Sequence, residues 1–159
     1  MRRKRTAFTL VEILIVVTIL GILAAIALPQ LSDVTTISRE TNLKENLSKI
    51  RAHIQVYRNE HAGLPTAAGL AGQMTKPTDF SGAVGTVRDS TYRFGPYLEQ
   101  MPANPLTGLA AVRAASGAAE RFPPGDIDGG WWLNEVTGEF YADLKDSYVD
   151  GQGNRYNRY

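Results

Sequence analysis

One carboxylate, Glu12, lies inside an otherwise uncharged and mostly apolar run of 21 residues, Phe8–Leu28 (FTLVEILIVVTILGILAAIAL). A charge at the centre of a membrane helix costs about 2.5–3.5 kcal/mol, less near its end, so an acid there calls for a partner. The positive end of the helix dipole favours an acid in the first turn. A full positive charge would favour it more. Cleavage between Ala7 and Phe8 would create one, a free α-amine four residues before Glu12.

Other chemistry is thinly represented. The two histidines, His53 and His61, fall on a predicted helix with no HExxH pattern, and the chain has no cysteine. Disulfides and thiolate metal sites are therefore excluded. Ser81-Gly82-Ala83-Val84-Gly85 has the wrong order for a nucleophile elbow, and neither a P-loop nor a GxGxxG fingerprint occurs. His53 and His61 are expected to be packing or surface residues, and no catalytic role is expected of the chain.

At about 1.5 Å per residue the run makes a helix of about 32 Å, enough to cross a hydrocarbon core of about 30 Å. Arg2, Arg3, Lys4 and Arg5 precede it and orient it with the N-terminus cytoplasmic. A cleavable secretory signal would explain Ala25-Ile26-Ala27 as a cleavage site, but the run is longer than the usual apolar core of about 7–15 residues and holds an acid. A plain anchor explains length and flanking charge but not Glu12. Gly21 and Ala25 have the spacing that lets membrane helices approach closely, and Pro29 is expected to kink the helix.

A basic leader, a small residue, then Phe-Thr-Leu-Val-Glu and a long apolar run resembles the class III signal of type IV pilins and type II secretion pseudopilins. The resemblance implies that a prepilin peptidase cuts between Ala7 and Phe8 and N-methylates Phe8. It implies that Glu12, with Gly21 and Pro29, serves assembly. It also implies partners: further copies of the chain in a helical homopolymer, minor pseudopilins, and an inner-membrane platform with a cytoplasmic ATPase. The residue before the cut is usually Gly; Ala7 departs from this, with slower cleavage as a consequence. The stretch Gly95–Gly108, GPYLEQMPANPLTG, resembles the segment before the sheet in major pseudopilins more loosely.

Of 159 residues, 17 are basic and 16 acidic. Four basic residues lie in the leader, so the chain beyond it carries a formal −3. That balance points away from nucleic-acid binding, which relies on many Lys and Arg contacts to phosphate. Many type IV pilins close a C-terminal loop with a disulfide, so the absence of cysteine leans towards a pseudopilin.

Beyond Pro29 the helix is expected to continue to Ala62. Leu43, Leu47, Ile50, Ile54 and Tyr57 form one apolar stripe, with Lys44, Glu45, Lys49, Arg51, Arg58 and Glu60 on the solvated side. Gly63 and Pro65 stop it. A short helix is expected near residues 67–74 and a short strand near 109–113. The best hairpin joins 130–136 to 139–144 through Thr137-Gly138. Trp131 and Trp132 take opposite faces of its first strand. Packing within the head is expected for both, one of them on the helix stripe; the alternative for the other is a place facing solvent or a subunit contact. In the tail, Asp143, Asp146, Asp150 and Asn154 gather oxygens near Gly151 and Gly153. Resemblance to major pseudopilins makes calcium conceivable there, but the spacing is not an EF-hand loop and no ligand is assigned.

The reading is an α+β pilin-like fold. Its parts are a cleaved leader (1–7), a membrane and assembly helix (8–29) whose hydrophobic half protrudes, an amphipathic continuation (30–62), and a head (63–159) with a small antiparallel sheet. The expected function is that of a structural subunit of a type II secretion pseudopilus, held in the inner membrane with its head periplasmic until it enters the filament. The alternative is a type IV pilin-like subunit for adhesion, motility or DNA uptake. A membrane-anchored exported enzyme or binding module is the reading from another class.

Overall fold

A computed structural model describes residues 8–159, with the backbone alone described for 27–33. Ala7 and the leader therefore lie outside the described residues, as does the Pro29 side chain; the helix continues without a break through Pro29. The chain divides into two compact units, residues 1–38 and 39–159. A 51-residue helix, α1 (Leu10–Glu60), contributes to both.

From Leu10 to Ile26 α1 has no polar face. The apolar side chains from Leu10 to Ile26 are all exposed, from 48% at Val16 to 84% at Leu10. A helix that is apolar all round finds its environment in lipid or among other helices. Among the described residues no helix is long and apolar enough to cross a membrane; the described side chains of the apolar run stop at Ile26.

In the second unit the stripe does what its spacing predicts. Leu43, Leu47, Ile50, Ile54 and Tyr57 are each at most 2% exposed and form one core with Leu70, Met74, Leu98, Trp131, Leu133, Phe140, Ala142 and Leu144. Each such burial stabilises by about 1.5–3 kcal/mol relative to exposure. The helix ends at Glu60, two residues before the expected Ala62: His61 N–H still donates to the Tyr57 carbonyl, but Ala62 N–H turns to the Phe80 carbonyl. His61 stacks on Tyr57 at 3.7 Å and bonds Thr78 Oγ1 through Nε2 at 2.9 Å. Arg51 and Glu60, expected on the solvated side, are engaged with the head instead. Arg51 donates from Nε to the Phe140 carbonyl and lies over the Tyr141 ring. Glu60 accepts the Tyr97 hydroxyl at 2.6 Å.

The short helix near 67–74 is α2 (Leu70–Thr75). The sheet has three strands, β1 (Val112–Ala114), β2 (Trp131–Leu133) and β3 (Phe140–Ala142), in that order. β2 and β3 form the expected antiparallel hairpin, with Gly138 at φ +80° in the turn. The expected strand near 109–113 is β1, but it pairs parallel to β2, so the sheet is mixed rather than antiparallel. This pairing needs close approach at Gly130, where a Cβ would stand 2.5 Å from the Ala111 carbonyl oxygen. Asn104, fully buried, fixes the preceding loop: its Nδ2 donates to the Gly130 carbonyl and its Oδ1 accepts from Leu106 N–H.

Both tryptophans are buried. Trp131 joins the core and donates from Nε1 to the Pro102 carbonyl at 2.8 Å. Trp132, on the opposite face, is also 0% exposed, so both indoles pack within the head and the solvent-facing alternative is set aside. The same face carries Tyr141, whose ring is 6.0 Å from Trp132 and 5.1 Å from Phe122. The 115–128 connection, fastened by Asn134 Nδ2 to the Glu120 carbonyl, supplies Phe122 to this face.

One ion pair braces this connection's base. Arg113 on β1 grips both oxygens of Asp143, at 2.5 and 2.8 Å, and reaches Asp126 at 3.1 Å. The Asp143 side chain is 2% exposed and that of Arg113 33%. Burial pushes the Asp143 carboxyl up, and the guanidinium only partly offsets this. Arg113→Ala strands the acid. The expected cost is about 2–3 kcal/mol, below the ~3–5 of a fully buried pair because Arg113 is a third exposed. A carboxyl raised in the folded state contributes stability that is lost as pH rises, so the deficit should be smaller at the acid end of the carboxylate range than at neutral pH. Urea denaturation of the variant across that range checks both.

Candidate assembly and processing site

The site begins at the first described residues. Thr9-Leu10-Val11-Glu12 has the T-x-x-E pattern of a capping box. Glu12 N–H donates to Thr9 Oγ1 at 3.1 Å, and Glu12 Oε2 lies 3.5 Å from Thr9 N. Ile13 N–H closes the first turn on the Thr9 carbonyl. Thr9 is thus the N-cap of α1, and the carboxylate folds back to the end of the helix, towards Phe8. Phe8 is 75% exposed. Thr9 carries a role the charge-based reading overlooked, although its signature stands in the sequence.

This arrangement gives Glu12 a local task besides any contact with another chain. The carboxylate lies in the first turn, where orphan backbone N–H groups and the helix dipole favour it. It is the one acid on a mostly apolar, exposed surface between Phe8 and Ile26. Gly21, expected at an assembly contact, has nothing within 4 Å of where a Cβ would stand, so its smallness serves no contact among the described residues. Pro29 lies among residues whose side chains are not described. Between Phe8 and Ile26 the helix therefore presents a capped start, one charge at Glu12 and an exposed, mostly apolar surface.

His53 and His61, doubted as catalysts, have structural surroundings: His53 is half-buried 6.5 Å from the Tyr97 ring, and His61 sits in the aromatic cluster of Tyr57, Phe94 and Tyr97.

The tail was the one place where a cation was conceivable. Asp143 is bound through both oxygens by Arg113. Asp146 accepts from Asn157 Nδ2 at 2.8 Å and from Arg155 at 2.7 Å. Asp150 accepts from the N–H groups of Gln152 and Asn154, from Asn154 Nδ2, and from the Tyr159 hydroxyl at 2.7 Å. These bonds, Asn154 foremost and Tyr159 next, hold the Asp150 carboxyl well below the usual carboxylate range. One buried oxygen, Asn157 Oδ1, has no donor among the described residues. Calcium takes about six to eight oxygens, and a lone amide oxygen beside committed carboxylates and two guanidinium groups does not fit that need. Among the described residues no group of three or more acidic, His or Cys side chains could hold a metal ion.

Comparison with known proteins extends this picture. Residues 2–28 match the prokaryotic N-terminal methylation motif. The type II secretion system core protein G of Pseudomonas aeruginosa is 33% identical over 105 residues, covering 65% of this chain and 70% of that protein. The protein of the same name from Vibrio cholerae is 31% identical over 104 residues, 65% of this chain and 66% of that one. A type IV narrow pilus major component of Thermus thermophilus is 36% identical over 66 residues, 42% of this chain and 55% of that protein. No solved structure matches the chain significantly. The methylation motif spans the capped start and its apolar run, and the longer similarity to core protein G covers well over half of the chain; the chain belongs to the family of type II secretion system core protein G, the major pseudopilins.

Proposed function

We propose that the chain is a structural subunit of a type II secretion pseudopilus, cut between Ala7 and Phe8 by a prepilin peptidase and polymerised through α1. The observation that carries this reading is the exposure of apolar side chains all round α1 from Leu10 to Ile26, next to a single capped carboxylate. The leader (1–7) is removed, 8–29 is the membrane and assembly segment, 30–62 continues into the head, and 63–159 completes the head. Before assembly the N-terminus is cytoplasmic and the head periplasmic.

Partners follow from this life cycle. They are further copies of the chain, the peptidase, minor pseudopilins, and an inner-membrane platform driven by a cytoplasmic ATPase. Burial of apolar helix surface is worth about 25 cal/mol per Å² when the alternative is water. In lipid that gain is largely absent, so packing and charge pairing decide helix association there. That difference explains why extraction into a filament requires a machine. N-methylation of Phe8 keeps an amine that can carry the positive charge facing Glu12.

The test is a deletion strain complemented with this chain. Without it, exported proteins should accumulate in the periplasm, and complementation should restore their release. Intact secretion with altered adhesion, motility or DNA uptake would overturn the pseudopilus reading in favour of the pilus one.

A further inference from the structure

The tail's acids are fully committed to protein donors, and their partners form one connected set. Asp150 binds Asn154 and Tyr159. The Tyr159 hydroxyl also lies 3.3 Å from Glu40 on α1, and that of Tyr156 lies 3.4 Å from the same carboxylate. Lys44 pairs with Glu40 at 2.6 Å and stands over the Tyr159 ring at 4.6 Å. At the other end Arg155 and Asn157 hold Asp146, while Asn157 also donates to the Leu144 carbonyl. Arg51 reaches the Tyr159 backbone oxygen from the same helix. The segment 146–159 is thereby closed on itself and fastened to α1 at Glu40, Lys44 and Arg51.

We propose that this segment is a clasp built of protein groups alone, in which Arg155, Asn154, Asn157 and Tyr159 do the work that a divalent cation would do among the tail's acids, so that the head folds and holds without calcium. A carboxylate is held in one place by positive charge or by donors, whatever their source. Here Arg155 supplies the charge at Asp146, and an amide and a phenol supply the donors at Asp150. A cation entering at Asp146 would sit beside the Arg155 guanidinium, and one entering at Asp150 would have to displace the Asn154 amide and the Tyr159 hydroxyl. The inference stands whether or not the chain enters a secretion filament, because it concerns only the head.

Thermal unfolding of the full chain in detergent micelles, in millimolar calcium chloride and separately in excess chelator, tests it. The two melting curves should coincide. Asp150→Asn and Tyr159→Phe should each lower the melting temperature by a few degrees, by the same amount in both buffers. A rise of several degrees in the unmodified protein with calcium would overturn the proposal. So would an Asp150→Asn defect seen only with calcium, which marks a metal ligand. If neither variant moves the curve in either buffer, the clasp holds nothing and the proposal fails.

Discussion

Trp131→Ala should destabilise the head by about 3–5 kcal/mol, a large share of the roughly 5–15 kcal/mol that holds a typical domain. Trp131 is fully buried on β2, 5.5 Å from the Phe140 ring and within the core that includes the α1 stripe. Truncation opens a cavity between helix and sheet and strands the Pro102 carbonyl that its indole now satisfies. The neighbouring indole provides the control. Trp132 is equally buried, but its Nε1 has no partner among the described residues. Trp132→Phe should therefore cost clearly less than Trp131→Phe, since only the latter forfeits a hydrogen bond. Urea denaturation followed by circular dichroism measures all three. Equal costs for the two Phe variants would mean that the Pro102 bond contributes nothing.

Glu12 carries the second large effect. Glu12→Ala should leave the protein in the membrane yet lower its incorporation into filaments about tenfold or more, the loss of one charge contact worth at least 1.4 kcal/mol. The capping box makes a sharper experiment possible. Glutamine keeps the back-bond to the Thr9 backbone but removes the charge. If Glu12 acts by pairing with the Phe8 amine of its own or a neighbouring subunit, Glu12→Gln should assemble as poorly as Glu12→Ala. If it acts only by capping α1, Glu12→Gln should assemble normally and Thr9→Ala should share the alanine defect. Counting subunits in sheared filaments separates the two.

The features legible in the sequence are those encoded locally. The stripe of Leu43, Leu47, Ile50, Ile54 and Tyr57 repeats at helical spacing, and all five side chains are buried. Thr137-Gly138 between two aromatic runs marks a hairpin, and β2 and β3 pair there. What was not legible depends on distant partners. The parallel pairing of Val112 with Trp131 joins strands 19 positions apart through a connection with no periodic pattern. Trp132's burial could not be read from alternation, which assigns a face but not what covers it. Arg51 reads as a solvated helix residue until Phe140 and Tyr141 arrive from the far end of the chain. The tail was hardest. Its four oxygen-bearing side chains look like cation ligands in sequence, and only Arg155, Arg113 and Glu40, the last two brought from β1 and α1, reveal them as half of a hydrogen-bonded set. The capping box at Thr9 is the reverse case, a local signature hidden by attention to the charge of Glu12.

The central claim is that the apolar start of α1 is made to be cut free and to meet other copies of itself. Mass measurement with N-terminal sequencing of the mature chain, isolated from membranes of cells that hold the peptidase, tests this most directly. The expected product begins at N-methylated Phe8, shorter by the seven residues from Met1 to Ala7. A chain that retains its leader, or one that begins after Ala27, would contradict the account.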